Sequence, residues 1–452
     1  AAVMMLLAAA CGGSSSSTTS DVVQLRWYVG LGTGTDVEKQ VPVQQQVVDD
    51  WNAANPNIQV TLEVVPNTDA DDILLSQNAA GNPPDVVGPA GVRGSNVFYG
   101  NWLDLTPLIE ESGYDLSVFP KAAVDAFAVG GQGQLGLPFA VFPSFMYYRP
   151  SMFEEAGLNM PPTSFGDMYT MPDGSEVEWS WDTIRDIAML LTVDEDGNNA
   201  TESGFDSTAV VQYGYHQPWN SPTEWASWFK AGQYLEADGT TVKIPDGWIE
   251  AWTWYHDGIF KDHFIPDKET AKLPEWGEGN VFGSGKIALA QSYTWYSCCV
   301  GEAVGKDWNI APTPSYQGEV WNDLNADTFR IPAASKHPKE AFQFMSYLLG
   351  EAAPTLLKIY GGMPSTDSAQ DLWIADQEKT WDQGVHWDIM KQSYASSSPF
   401  SAEAYYPNYL KGRDYIENVF MPALTGTPDM DVESYVMNTF LPEFQAIVSA
   451  GE

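Results

Sequence analysis

Leu25 to Val29 predicts a strand, and Val37 to Ala54 carries its apolar positions at helical spacing up to the stop Asn55-Pro56. Ile58, Val60, Leu62 and Val64 then alternate with polar residues, the period of a second strand. Asp69 to Ala80 predicts another helix, ended by Gly81-Asn82-Pro83-Pro84, and Asp85-Val86-Val87 a short buried strand. Such a β-α-β-α-β succession implies an α/β fold with a parallel sheet and helices on both faces. Ligands in these sheets bind beyond the carboxyl ends of the strands, which points to the loops after Val29 and Val87. The pattern returns loosely further on without a fixed period, so a solenoid is excluded.

The chain has 452 residues, 44% hydrophobic and 18% charged, enough apolar material for two or three domains. Its 60 acidic against 21 basic residues give a formal charge of -39, a field that repels phosphate backbones, so nucleic acid is excluded as a partner. Aromatic residues make up 13%, with 18 Trp, more than a core alone needs, and some are expected in an exposed cleft. Three cysteines, Cys11, Cys298 and Cys299, rule out a disulfide scaffold, and the adjacent pair is expected as two buried thiols. The five histidines show no metal-ligand spacing, so no metal site is expected. Asp194-Glu195-Asp196-Gly197-Asn198 looks like the start of a calcium loop, but Asn199 and Phe205 break the register, leaving a solvated hairpin turn.

Val3 to Ala10 is apolar but too short to span a bilayer and reads as the tail of a signal peptide. Ala8-Ala9-Ala10-Cys11-Gly12 resembles a bacterial lipobox, in which Cys11 takes the lipid, and residues 12–20 form a flexible Gly/Ser/Thr tether. The expected location is therefore extracytoplasmic, on the cell membrane. Residues 1–20 are set apart from the fold.

Gly133-Gln134-Leu135-Gly136-Leu137-Pro138-Phe139, then Tyr147-Tyr148-Arg149-Pro150-Ser151-Met152-Phe153-Glu154-Glu155-Ala156-Gly157-Leu158, resembles the central signature of the maltose-type extracellular solute-binding proteins of ABC transporters. Pro83-Pro84-Asp85-Val86-Val87, Phe282-Gly283-Ser284-Gly285-Lys286-Ile287-Ala288-Leu289, Ala311-Pro312-Thr313-Pro314 and Gly361-Gly362-Met363-Pro364-Ser365 match in order. Arg149 replaces the family's usual Asn, and residues 164–178 lengthen a loop. The resemblance implies a two-lobed fold with a cleft: lobe one at residues 21–141 plus 326–368, lobe two at 142–325 plus 369–452. It also implies capture of a sugar or oligosaccharide, delivery to membrane permease subunits, and a monomer without cofactor or catalytic residues.

Carbohydrate sites combine aromatic faces with amides, carboxylates and arginines, because a sugar offers C–H faces and hydroxyl edges. Gly30-Leu31-Gly32-Thr33-Gly34 lacks the third glycine of a dinucleotide fingerprint and is expected to bring backbone to a ligand, through Gly32, Thr33 and Gly34. The resemblance places Tyr293 and Trp295 at a stacking position, Trp219 near a second and Tyr406 near a third. Phe142 falls where relatives place a polar contact, and Arg93 lies in the loop after Val87, with a surface ion pair as its other reading. The alternative function is a secreted glycoside hydrolase, which needs two carboxylates facing across the scissile bond.

Overall fold

Trp27 and Tyr28 are both fully buried although they point to opposite faces of β1 (Val23–Val29). Only a strand with apolar cover on each side permits this. The computed structural model describes residues 22–32, 39–119, 121–125, 127–129, 133–398 and 405–450. β1 runs parallel to β2 (Ile58–Val64), Val23 opposite Ile58 through Val29 opposite Val64, and parallel to β3 (Val86–Ala90) on its other edge. α1 (Gln40–Ala54) and α2 (Ala70–Ala79) make the crossovers, as the periodicity predicts. Cys11, Thr33, Gly34 and the first expected residues of α1 lie outside the described residues.

Beyond this portion the sheet is mixed, with parallel pairing again between Val210–His216 and Ile287–Tyr293, Tyr213 opposite Ile287. Further along come β4 (Leu137–Tyr148), β5 (Val193–Asp194), β6 (Val210–His216), β7 (Ile287–Tyr293), β8 (Asn309–Ala311), β9 (Leu324–Arg330) and β10 (Met363–Pro364). Among the described residues these ten strands form one mixed sheet, in the order β2-β1-β3-β9-β4-β7-β6-β5, with β8 and β10 also on β4. β9 and β4 are antiparallel to their neighbours. The stretch of β4 from Leu137 to Pro143 pairs with β9, whereas Ser144 to Tyr148 pairs with β7. All twelve residues of β4 are buried. The sheet therefore has two halves sharing one strand.

Gly361, at φ +82°, ends the helix Ala353–Tyr360 in the left-handed region that glycine tolerates. A Cβ on Gly362 would lie 2.6 Å from that of Ala140, so the glycine lets β10 close on β4. In the second half, Ser180 caps α4 (Trp181–Leu190), whose buried face Trp181, Ile184, Ile187 and Ala188 packs on the sheet. α5 (Trp248–Phe260) adds Trp248, Trp252 and Trp254 to the same core. Of the 18 Trp only Trp219 is exposed, at 55%, so the aromatic excess fills the core and leaves one exposed cleft candidate. No helix among the described residues is long and apolar enough to cross a membrane.

The Asp194 turn is the expected hairpin, with Glu195, Asp196 and Gly197 exposed, but the Asp194 side chain is not solvated. Asp194 is buried and accepts from the amides of Asp196 (3.0 Å), Asn198 (2.9 Å) and Asp206 (2.9 Å) and from Asn198 Nδ2 (3.2 Å). Desolvation acts to raise its carboxyl, but the hydrogen bonds outweigh it and hold the group below the usual range. Its contribution to stability is thus complete above the unfolded-state value, about 3.9, and is lost as pH falls through the lower folded value. Asp194→Asn sets an amide against the Asp206 N–H, and is expected to lower the melting temperature at pH 7 and to flatten its decline below about pH 4. Parallel acid limbs for the two proteins in thermal melts would refute this.

Candidate functional site

The loop after β6 builds an aromatic wall. Ser221 caps the short helix Pro222–Ser227 in a capping box with Glu224, and Asn220 Nδ2 donates to the Gln291 carbonyl at 3.3 Å. Between these anchors Trp219 is held at φ +57°, an uncommon conformation for a bulky residue, and its ring stands out in solvent. It lies nearly parallel to Trp295, with centroids 6.4 Å apart and planes at 20°. Trp295 is in turn stacked at 5.8 Å and 21° on the buried Tyr293, and Tyr296 braces the pair edge-on. Three of the expected site residues, Trp219, Tyr293 and Trp295, therefore form one continuous array.

Beside this array β9 supplies a polar floor. The Tyr293 hydroxyl donates to Asp323 Oδ2 at 2.7 Å, and the hydroxyl of Tyr360, from α7 (Ala353–Tyr360), bonds to Asp327. Both aspartates are almost fully buried, at 2% and 3% exposure. Gly32 meets this floor from the end of β1: a Cβ there would lie 2.8 Å from the Pro89 carbonyl and 3.0 Å from Asp327 Oδ2. The glycine is thus required by a close approach, while its own carbonyl accepts from Asn67 Nδ2 at 3.2 Å.

The other expected residues sit apart from the wall. Arg93 is exposed on α3 (Val92–Val97), near Asp71. Burial pushes the Asp71 carboxyl up, and the charges of Arg413 and Arg93 oppose this without cancelling it. Phe142 is buried in β4, 6.4 Å from the Tyr360 ring, where it underlies the floor. Tyr406 packs among Tyr234, Tyr409 and Phe444, which leaves it no open face for stacking. Its neighbour Tyr405 instead stacks on Tyr99, and Arg413 Nη1 lies 3.8 Å from Asp71 Oδ2, so α9 (Tyr409–Tyr415) and its approach touch the first half.

Cys298 and Cys299 are bonded to each other, contrary to the expectation of two buried thiols. Cys298 is exposed at the end of the turn Thr294–Cys299 that carries Trp295, where packing does not shield the sulfurs. Asn280 ties this turn down, donating to the Cys299 carbonyl at 2.8 Å and accepting from the Tyr296 hydroxyl.

Residues 46–386 match the family profile described as bacterial extracellular solute-binding protein. The chain belongs to that family. Its fold is shared with solved solute-binding proteins across nearly its whole length. An ABC substrate-binding protein from Listeria monocytogenes, in complex with cycloalternan, superposes with TM-score 0.68 at 19% identity, covering 96% of this chain and 100% of that one. The sugar-binding protein MalE of Xanthomonas citri gives 0.69 at 16% identity, with 95% and 98% covered. An uncharacterized lipoprotein of Streptomyces antibioticus is 24% identical over 323 residues, 68% of this chain and 64% of that protein, just under two thirds of its length. The fold is thus the two-lobed α/β architecture of these binding proteins.

A recess of about 800 Å³ lies elsewhere, between α4, α5 and residues 430–433. Glu178, Asp182, Glu250 and Asp257 line it. Among the described residues no group of His, Cys, Asp and Glu is placed to hold a metal ion. Asp323, Asp327 and Tyr360 were not expected from the sequence; for the two aspartates the signal was Asp323, Asn325 and Asp327 alternating with Leu324 and Ala326. Tyr293→Phe removes a donor from the buried Asp323 carboxylate and is expected to cost about 1 to 3 kcal/mol, read as a lower urea midpoint. An unchanged midpoint would show that the hydroxyl contributes nothing to the floor.

Proposed function

We propose that this protein captures an extracytoplasmic sugar or oligosaccharide between its lobes and delivers it to the permease of an ABC transporter. The observation that carries the reading is the wall of Trp219, Trp295 and Tyr293 set against the hydroxyl-bonded carboxylates of β9, the two surfaces a sugar needs. The lobes are residues 21–141 plus 326–368 and 142–325 plus 369–452, supported by the exchange of β4 partners between Pro143 and Ser144. Gly32 approaches the floor from the end of β1 and Phe142 underlies it, while Thr33, Gly34 and Arg93 belong to the proposed site as further groups of lobe one. The Listeria protein's cycloalternan and the sugar-binding description of the Xanthomonas protein favour the same ligand class.

Binding without turnover is favoured over hydrolysis by geometry. Asp323 and Asp327 are four residues apart on one extended segment, about 13 Å along the strand. Glycosidases need carboxyl groups about 5 to 10 Å apart and facing one another. Ligand bound to both lobes favours the closed form by the difference in its affinity for the two forms.

A sugar panel screened by thermal shift tests this directly: a true ligand at 100 times its Kd adds about 2.7 kcal/mol and should compact the protein in solution scattering. Identical scattering with and without saturating ligand would exclude closure. Trp295→Ala removes a stacking face worth about 2 to 4 kcal/mol, a loss of about 30-fold to 1000-fold in affinity, with folding largely retained. A destabilised mutant with normal affinity would place Trp295 in the core instead. The membrane anchor is lipid on Cys11, in keeping with the lipoprotein description of the Streptomyces relative. Cys11→Ala should free the protein into the medium with ligand binding unaltered, and retention on membranes would count against the anchor.

A further inference from the structure

β9 carries its side chains to alternate faces, and the two faces differ in kind. Leu324 and Ala326 join the apolar cluster that contains Val141 and Met363. Asp323, Asn325 and Asp327 share the other face, an unusual composition for a strand buried in the middle of a sheet. The outer two are matched: Asp323 accepts from Tyr293 in the second lobe and Asp327 from Tyr360 in the first. Asn325, midway between them and opposite Phe142 of β4, has its Oδ1 fully buried with no hydrogen-bond partner. Buried polar atoms are nearly always paired, so an unpaired acceptor at the junction of two lobes is a place reserved for a donor from outside the chain. Neighbouring groups share the pattern: the Nε1 of Trp321, two residues before Asp323, and Oδ1 of Asn220, beside Trp219, are also buried and unpartnered.

We propose that Asn325 is the specificity-determining residue of the cleft floor, accepting a hydrogen bond from one sugar hydroxyl while the two Tyr–Asp pairs fix its position from either lobe. This rests on the sugar-capture reading and adds to it which group reads the hydroxyl pattern. The stacking wall accepts any ring with a C–H face, whereas a single acceptor at a fixed point distinguishes epimers, because a hydroxyl turned the other way leaves the amide oxygen unpaired.

The test uses the whole protein, with glucose, galactose, mannose, cellobiose and lactose as probes, by thermal shift and calorimetric titration. Asn325→Ala and the milder Asn325→Ser are each expected to bind the wild type's preferred sugar at least tenfold more weakly. They should also change the affinity ratio between that sugar and its epimer at least fivefold, with melting temperatures without sugar near the wild-type value. A smaller loss in either folded variant, or an unchanged epimer ratio, overturns the proposal, because a purely structural side chain would scale all affinities together. Failure of both variants to fold assigns Asn325 to the scaffold and overturns it as well. A wild type that binds no probe overturns sugar capture itself, and this inference with it.

Discussion

One strand that cannot leave either half constrains everything else in the molecule. β4 is buried along its whole length and exchanges partners between Pro143, opposite Leu324, and Ser144, opposite Tyr293. Proline has no N–H for a ladder, so it is tolerated where pairing changes sides. The carbonyls at this point are taken by hydroxyls: Thr294 bonds to Pro143 at 3.1 Å, and Thr313 and Ser393 bond to Ser144 at 3.3 and 2.7 Å. A hydroxyl can rotate to follow its acceptor, which a sheet ladder cannot do. The backbone is thus satisfied at the place where the strand changes partners.

The same crossing explains why the recognition groups lie where they do. Tyr293 ends β7, which pairs with the second portion of β4; its ring begins the aromatic wall and its hydroxyl holds Asp323 on β9. Tyr360 ends a helix of the first half and holds Asp327 four residues on. Each carboxylate is desolvated, a cost that protein hydrogen bonds offset here. The wall and the floor are therefore connected through bonded residues of the scaffold, so stacking geometry and hydroxyl recognition are set by the same few strands.

The β-α-β-α-β opening was legible because each element carries its own period: alternation in β2, helical spacing in α1 and α2, Gly and Pro at the stops. The crossings were not, because β4 is buried on both faces and reads as a continuous apolar run whose partners lie nearly two hundred residues away. Trp219 and Trp295 could be placed through the family signature, but the tryptophan count misled: it reflects the core of α4 and α5 rather than the cleft. Tyr406 illustrates the limit of placing residues by signature alone, since one step along the chain separates a packed ring from Tyr405, which meets Tyr99. Asp194 was invisible as a buried residue because its partners are backbone amides, which no side-chain pattern reports.

The polar face of β9 has a further consequence for how closure is controlled. Burying an unpaired amide oxygen without a ligand is unfavourable, whereas burying it against a sugar hydroxyl completes its hydrogen bonding. The empty closed form is penalised by the groups that favour the filled one. An aromatic wall alone would not achieve this, since apolar faces gain from meeting each other with or without a sugar between them. The contacts that already join the lobes, Tyr99 on Tyr405 and Arg413 toward Asp71, show that such ligand-independent attraction is present. On the sugar-capture reading, the polarity of the floor would make closure depend on occupancy, and so give a partner that reads the closed shape a signal that sugar is bound.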